Sequence, residues 1–319
     1  MLYRLLKLPA TLALYLYCRT IRISNKNILR QDGPLLIACN HPNSFLDAII
    51  ISSLFKKPVH SLARGDAFKN KFFAALLRSL NMLPVYRASE GVENMEHNYT
   101  SFNACKEIFK KNGIVLIFSE GRCINEWHLR PLMKGTARLV LSSWNDDINV
   151  KILPLGINYQ SFTSFGKNIH LNAGEMILPH DINTNEGFGN TIRAFNAVLN
   201  NKLQPLVYEI DKNNLEQVKQ TLGFNISTAR RIALSLPAVV GYMAHWPLYF
   251  FIQRFAFKVA SHNDHYDSII VGLLFLLYPF YLLFITGVVL FFTKCWYFLF
   301  LILVLPFCAF SFVQVKKQF

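Results

Sequence analysis

The sequence predicts an α/β domain, in which helices cover a mixed sheet, followed by apolar C-terminal helices that could cross a membrane. Short apolar runs alternate with longer segments of helical periodicity along the middle of the chain, which predicts the domain. Two long apolar segments near the C-terminus predict the membrane helices. The composition agrees, since 52% of the 319 residues are hydrophobic, 16% are charged and the mean hydropathy is +0.27. Such a chain is neither disordered nor fibrous.

Two kinds of pattern define the elements of the domain. Short β-branched or apolar runs predict strands over residues 34–39, 58–63, 82–86, 114–118, 150–159 and 169–178. Alternation of polar and apolar positions at helical spacing predicts helices over residues 66–80, 93–111, 132–143 and 187–201. Because strands and helices alternate, we expect a largely parallel or mixed sheet. We expect this domain to occupy residues 30–225.

The C-terminal segments 268–292 and 295–315 contain no acidic or basic residue. Each is long enough to cross about 30 Å of hydrocarbon. Basic residues lie at both outer flanks of the pair: Arg254, Lys258, Lys316 and Lys317. The positive-inside rule therefore places both flanks in the cytoplasm. A hairpin buried in a soluble core is the alternative, but such helices are usually shorter and amphipathic. We expect residues 268–319 to form a transmembrane hairpin.

Two further apolar segments are expected to lie in the membrane interface. Residues 5–17 are too short to span, have basic flanks and lack a signal-peptide cleavage site, so residues 1–29 are predicted to form an anchor helix. Residues 232–252 contain two prolines and several aromatic residues, which favours a broken helix at the headgroup level over a clean span. We therefore expect residues 226–267 to form an interfacial helical segment.

The charge balance narrows the class of partner. The formal net charge of +14 favours anionic partners such as anionic lipid, phosphorylated metabolites or nucleic acid. Membrane lipids are the expected partners and nucleic acid is not, because most aromatic residues lie in apolar runs instead of among basic residues. The six cysteines show no C-x-x-C spacing, which favours a reduced, intracellular protein. The nine histidines lack the spacing of metal ligands, so no metal is expected.

The strongest chemical signal is the segment 40–47, Asn-His-Pro-Asn-Ser-Phe-Leu-Asp, which directly follows a predicted strand. A histidine at a strand end, here His41, can act as a general base when a nearby carboxylate such as Asp47 orients its imidazole. Such a pair can deprotonate a hydroxyl. The alternative is an Asn-Pro turn with a helix-capping aspartate, and the motif alone leaves both open.

Basic residues gather after two other predicted strands. Small residues and cations at the carboxyl ends of strands form anion sites in α/β sheets, and arginine can hold a phosphate through paired hydrogen bonds. The alternative is a solvated basic helix face. The candidate residues of the acceptor phosphate site are Arg87, Glu120, Gly121, Arg122, Lys134 and Arg138.

In this order and with these spacings, the segments resemble the four sequence blocks of the glycerol-phosphate and lysophosphatidic acid acyltransferase superfamily. In that superfamily the blocks read Asn-His-x4-Asp, a segment ending in arginine, Phe-Pro-Glu-Gly-Thr-Arg, and an apolar strand with proline. They correspond here to residues 40–47, 83–87, 118–122 and 152–157. The resemblance covers about residues 30–180 and implies the α/β fold of the glycerol-3-phosphate acyltransferases.

The chain departs from this pattern at two blocks. Five residues separate His41 from Asp47 where most of the family has four, as in some glycerol-3-phosphate acyltransferases, so a different turn must bring the aspartate back. In the third block Ser119 replaces the proline. Its arginine, Arg122, comes one position early, and Cys123 stands where the family arginine would fall.

The resemblance implies an O-acyltransferase of phospholipid biosynthesis, which transfers a fatty acyl group from a thioester to a hydroxyl of 1-acyl-sn-glycerol 3-phosphate. His41 would accept the hydroxyl proton and Asp47 would hold the imidazole tautomer. Acyl-CoA or acyl carrier protein would supply the thioester, with no cofactor. Glu120 cannot bind phosphate itself, and we expect it to orient an arginine or a glycerol hydroxyl, or to fix the loop.

Three alternatives stay open. The acceptor could be glycerol 3-phosphate acylated at sn-1, or a non-glycerol lipid such as one that contains an amino acid. The chain could also be a membrane-anchored binding or scaffold protein on a degenerate acyltransferase fold. Because thioester donors are made in the cytosol, we expect an integral protein of the bacterial inner membrane whose active site faces the cytoplasm.

Overall fold

The computed structural model describes residues 2–86, 93–183, 187–260 and 264–317. Within these residues, seven strands form one sheet in the order β1-β7-β6-β2-β5-β3-β4. The strands are β1 Cys18–Ile23, β2 Leu35–Cys39, β3 Val59–Arg64, β4 Met82–Val85, β5 Ile114–Phe118, β6 Lys151–Tyr159 and β7 Lys167–Ala173. Neighbours from β6 to β4 are parallel, as are β1 and β7, whereas β6 and β7 are antiparallel. The expected mixed sheet is therefore confirmed.

Ten α-helices accompany the sheet in the part of the chain that the structure describes. They are α1 Leu2–Tyr17, α2 Phe45–Leu54, α3 Lys71–Ser79, α4 Glu93–Lys110, α5 Lys134–Asn145, α6 Phe188–Leu203, α7 Leu215–Leu222, α8 Thr228–Ala260, α9 Tyr266–Thr293 and α10 Leu301–Val315. The helix expected over residues 66–80 consists of a 3-10 turn, Gly65–Phe68, followed by α3. The other three helices predicted for the domain begin and end within two residues of their expected bounds.

The sheet separates two apolar layers. Leu35, Ile37 and Cys39 of β2 belong to the layer that also contains α1, α2, α8 and α9 residues. Leu36 and Ala38 belong to the opposite layer, together with residues of α4, α5 and α6. All five side chains are fully buried. Because both faces of the sheet are covered, the central strands read as continuous apolar runs, which is why the sequence predicts them well.

The first strand of the sheet, β1, begins earlier in the chain than expected. Residues 1–29 were expected to form an anchor helix, but α1 ends at Tyr17 and β1 then pairs with β7. Arg19 and Arg22 resemble the basic flank of an anchor and so conceal the strand. An edge strand needs only one apolar face to dock, and here Ile21 and Ile23 pack against the core.

The broken helix expected over residues 232–252 is wrong, because α8 is one continuous helix of 33 residues with Pro237 and Pro247 inside it. A proline removes one backbone donor, and a packed helix tolerates this where neighbouring helices satisfy the freed carbonyls. Pro247 leaves the carbonyl of Met243 without its helical donor, and at the next residue the Tyr281 hydroxyl of α9 donates to the carbonyl of Ala244 at 2.7 Å. Packing on α9 and α10 therefore holds α8 together across its prolines.

Two C-terminal segments, Tyr266–Thr293 and Trp296–Val315, are long and apolar enough to cross a membrane. In their most apolar stretches only 22% and 28% of residues are buried, which suggests association with a membrane more than burial in a soluble core. The outer ends of both segments contact the α/β domain. Asp267 contacts Asn43 at the first end, and Arg19 donates to the carbonyls of Val313 and Lys316 at the second.

Candidate active site

The carboxyl ends of the parallel strands β2, β5 and β3 lie at one edge of the sheet, where α/β folds place their ligands. The loop after β2 carries the segment 40–47, and the loop after β5 carries residues 119–122. The side chain of Asn40 fastens the first loop to β6, because it accepts from the backbone N–H of Ile157 at 2.8 Å and donates to its carbonyl at 3.0 Å. The predicted catalytic loop is therefore fixed at its start.

His41 and Asp47 form a hydrogen-bonded pair. Nδ1 of His41 lies 2.9 Å from Oδ2 of Asp47. The aspartate side chain is fully buried, whereas 18% of the histidine side chain is exposed. The imidazole stacks on Phe118 at the end of β5, with ring centroids 3.9 Å apart and an interplanar angle of 11°. With Nδ1–H donating to the carboxylate, Nε2 carries the free lone pair and is the atom that can take a proton.

Asp47 is held by two further donors. Its Oδ1 accepts from the Tyr159 hydroxyl at 2.6 Å, and its Oδ2 accepts from the backbone N–H of Asn43 at 2.9 Å. Burial and the adjacent carboxylate raise the pKa of Tyr159, so that its hydroxyl keeps its proton and acts as the donor. Tyr159 was not among the sequence candidates. It ends β6, 112 residues from Asp47, and no motif marks it.

A strained turn accommodates the extra residue between His41 and Asp47. Ser44 has φ 53°, a conformation that side chains other than glycine rarely adopt, and α2 begins at the next residue. Asp47 thus lies in the first turn of α2, while its carboxylate reaches back to the loop. Cys123 supports this turn, because its Sγ accepts from the backbone N–H of Ser44 at 2.9 Å. The cysteine that replaces the family arginine therefore contacts the catalytic loop.

Glu120 fixes the two loops to one another. Its carboxylate accepts from the backbone N–H of His41 at 2.7 Å and from the backbone N–H of Arg130 at 2.9 Å. Burial raises the pKa of Glu120 to about 7, although both hydrogen bonds oppose that shift. Of the three roles open for Glu120, this geometry corresponds to fixing the loop.

The basic candidates lie around the second loop. Arg122, Lys134 and Arg138 have exposed side chains, and among the described residues no hydrogen bond or ion pair joins any of them to His41. Gly121 adopts φ 66°, which lets the chain turn sharply before Arg122. Arg87 lies outside the described residues. Arg122, Lys134 and Arg138 are therefore accessible to a ligand, and within the described parts of the chain no ion pair occupies them.

Arg64 is a cation that the sequence candidates did not include. It ends β3 at the same edge and forms an ion pair with Asp66. Its charge contributes, after burial, to lowering the pKa of His265. The only sequence signal is a basic residue at a strand end, which is too common to single it out.

A buried polar network connects the catalytic loop to α9. Asp267, in the first turn of α9, forms an ion pair with Lys167 and accepts from the Tyr17 hydroxyl at 2.6 Å and from Nδ2 of Asn43 at 2.7 Å. The Asp267 and Lys167 side chains are completely buried. Asp267 therefore joins the start of α9 to β7 and to the catalytic loop. His265, just before it, contacts the Ser44 hydroxyl through Nδ1 at 2.6 Å.

Comparisons with known proteins agree with the resemblance that the sequence blocks indicate. Residues 20–158 match a protein family described as Acyltransferase. The 1-acyl-sn-glycerol-3-phosphate acyltransferase of Bacillus subtilis (strain 168) is 26% identical over 107 residues, which are 33% of this chain and 50% of that relative. The chain thus spans about half the length of the curated relative it matches.

Among solved structures, that of the 1-acyl-sn-glycerophosphate (LPA) acyltransferase PlsC from Thermotoga maritima aligns with a TM-score of 0.43 and 12% identity. The alignment covers 65% of this chain and 74% of that one.

The family match includes all four sequence blocks and the strands that carry them, from the β1 edge to β6. The resemblance that the sequence motifs indicate is therefore confirmed: residues 20–158, somewhat less than half of the chain, match the family described as Acyltransferase.

Proposed function

We propose that this protein transfers a fatty acyl group from a thioester to a hydroxyl of 1-acyl-sn-glycerol 3-phosphate at a membrane surface. The observation that carries the proposal is the His41–Asp47 pair, which lies in the family's first block with Nε2 free and the carboxylate fully buried. A buried, oriented carboxylate behind an accessible imidazole is the arrangement of a general base. The relative from Bacillus subtilis, named for this acceptor, supports the choice of acceptor.

The pair supports direct transfer. As the acceptor hydroxyl attacks the thioester carbonyl carbon, Nε2 of His41 takes the hydroxyl proton, and Asp47 stabilises the imidazolium that forms. When the tetrahedral intermediate collapses, the carbon–sulfur bond breaks and the imidazolium returns its proton to the departing thiolate. The products are an ester and a free thiol. No acyl-enzyme and no cofactor are required, and acyl-CoA and acyl carrier protein can both supply the thioester.

We place the acceptor phosphate at the edge of the sheet beside His41. Arg122, Lys134 and Arg138 are exposed there. Arg87, the arginine that ends the second sequence block, is proposed to contribute as well. Charge-assisted hydrogen bonds from two or more of these cations would determine both the affinity for the acceptor and its position relative to His41. Glu120 contributes by holding the loop.

The surroundings of the site support catalysis at a membrane. The same edge of the sheet contacts the start of α9 through Asn43 and Ser44, so the pair lies next to the apolar C-terminal helices. We propose that this is an integral membrane protein, of a bacterial inner membrane, with the site on the cytoplasmic face. A lipid acceptor would then reach His41 without leaving the bilayer surface.

The direct test supplies the purified full chain with one labelled acyl-CoA, then with the same acyl group on acyl carrier protein. The acceptors are 1-acyl-sn-glycerol 3-phosphate, glycerol 3-phosphate and an amino-acid-containing lipid with a free hydroxyl. We expect label in the diacyl product. Label only in glycerol 3-phosphate or only in the third lipid would overturn the acceptor, and no transfer to any of them would favour the binding or scaffold alternative. Asp47→Asn is the matched inactive control.

A further inference from the structure

A group of cations without carboxylate partners among the described residues lies where α10 ends against β1, at one edge of the sheet. We call it the basic corner, and it consists of Arg19, Arg230, Arg231, Lys316 and Lys317. Within the described parts of the chain none of the five forms an ion pair with a carboxylate. Such a concentration of one charge is unfavourable unless it meets an anion.

Hydrogen bonds hold the basic corner in place. Arg19 is a buried residue, with 5% of its surface exposed, and its guanidinium donates to the carbonyls of Val313, at 3.0 Å, and of Lys316. Its Nη1 is buried with no hydrogen-bond partner among the described residues. The Lys316 ammonium donates to the carbonyl of Phe165 at 2.9 Å. Burial first, and then the charges of Arg19 and Lys167, lower the pKa of Lys316. Backbone contacts therefore fix the position of two cations of the basic corner, which carries excess positive charge.

Two cavities meet at Lys316. The first, of about 200 Å³, is polar and is lined by Arg231, Gln314, Lys316 and Lys317 among others. The second, of about 650 Å³, lies between α1, α8, α9 and α10, and Lys316 lies at its border too. Its lining is mainly apolar and includes Leu12, Leu16, Trp246, Leu274, Phe275 and Phe312. A volume of this size is typical of ligand pockets.

From this arrangement we propose that the helices outside the acyltransferase domain bind one anionic phospholipid. Its phosphate lies in the polar cavity against Arg231, Lys316 and Lys317, and one of its acyl chains fills the apolar cavity. The apolar cavity decides between a lipid and a soluble phosphate ester, because only a lipid has an apolar part to place there.

This lipid site is separate from the proposed acceptor site and does not depend on the proposed function. β1 is three strands from β2 in the sheet, a separation of about 14 Å. The described candidate acceptor cations, Arg122, Lys134 and Arg138, follow β5, which lies on the other side of β2. The buried Lys167–Asp267 pair lies between the two regions. The bound lipid would anchor the end of α10 to β1 and hold the helices on the domain.

The test uses Trp246, which lines the apolar cavity, as a reporter in full-length protein carrying Trp296→Phe. The protein is placed in phosphatidylcholine nanodiscs that contain about a tenth of phosphatidylglycerol with brominated chains, which quench tryptophan at contact. Nanodiscs with the same amount of brominated phosphatidylcholine give the quenching expected from bulk lipid. We expect about twofold stronger quenching by the anionic lipid, because the cations of the basic corner concentrate that lipid at the apolar cavity.

Two variants test the two halves of the site. Replacing Arg231, Lys316 and Lys317 by glutamine should abolish the excess quenching, and Ala309→Phe, which fills the apolar cavity, should do the same. The charge-matched control replaces Lys111, Lys151 and Arg193, three exposed cations outside the basic corner, and should keep it. Equal quenching by the two lipids in the starting protein would overturn the proposal. So would loss of the excess on adding inorganic phosphate at constant ionic strength, because that result would assign the corner to a soluble anion.

Discussion

At the scale of single residues, the pair His41–Asp47 is local in sequence, whereas the groups that hold it are not. Asp47 lies six residues from His41, so a motif can reveal both. Tyr159 lies 112 residues away and Asp267 lies 224 residues from the Asn43 it contacts. Only the folded sheet brings these groups together, and a single sequence contains no signal for such pairs.

The elevated pKa of Glu120 predicts a pH dependence of stability. Burial raises this pKa from 4.5 to about 7, so the folded protein binds the Glu120 proton more tightly than the unfolded chain does. The contribution of this residue to stability is therefore full below pH 4.5 and is lost as the pH rises towards 7, by up to about 3 kcal/mol.

The Glu120→Gln variant tests this dependence. We expect its melting temperature to rise relative to that of the wild type between about pH 4.5 and 7, since glutamine does not titrate. Glutamine can accept only one of the two backbone hydrogen bonds, which lowers the stability of the variant at every pH. This loss does not change how the difference in melting temperature depends on pH. Melting curves of both proteins in the same detergent, recorded across this pH range, measure the difference. If the melting temperatures of the two proteins changed in parallel with pH, the raised pKa of Glu120 would be contradicted.

At the scale of elements, the buried Lys167–Asp267 ion pair joins β7 to α9. Replacing only one partner leaves a buried charge without compensation, at a cost of about 3 to 5 kcal/mol. We expect Lys167→Met and Asp267→Leu each to destabilise by this amount, and the double variant to lose far less than the sum. Unfolding of all four proteins in detergent measures the coupling. Additive losses would show that the two charges do not interact.

The contact between α8 and α10 depends on Gly241. A Cβ at this position would lie 2.2 Å from the carbonyl oxygen of Cys308, so any larger side chain forces the helices apart. We expect Gly241→Leu to lower stability by about 1 to 3 kcal/mol, the usual cost of overpacking. Gly272→Leu on α9 is the control, because a Cβ there meets nothing within 4 Å. Equal melting temperatures for the two variants would contradict the close packing.

Sequence patterns predict a strand or helix well where both of its faces are buried. They predict it poorly where contacts with distant parts of the chain determine its structure. The buried strand β5 agrees with its expected bounds, because a short apolar run flanked by turn residues has few other solutions. β1 was missed because Arg19 and Arg22, in an edge strand, resemble the basic flank of an anchor helix. α8 was misjudged because the sequence does not show that α9 and α10 would support the turns around its prolines.

At the scale of the whole molecule, both outer ends of the α9–α10 pair contact the α/β domain, so the connection at Lys294 is expected on the far side of the membrane. Four cysteines are buried, which leaves Cys295 beside Lys294 as a natural probe once Cys123 is replaced by alanine. We expect a membrane-impermeant thiol reagent to label Cys295 from the far side. A Lys317→Cys substitution, made with Cys295→Ala, should react from the cytoplasmic side. Labelling of both from one side would rule out the spanning arrangement.

The central claim is that His41 is the base of an acyl transfer reaction, and turnover by His41→Ala tests it most directly. We compare the variant with the wild type, using labelled acyl thioester and 1-acyl-sn-glycerol 3-phosphate at equal amounts of folded protein. His180→Ala is the control, because His180 is exposed in a turn away from the sheet edge. Loss of the base predicts a turnover lower by about 10²- to 10⁴-fold with an unchanged melting temperature. Turnover by His41→Ala close to that of the wild type would contradict the account.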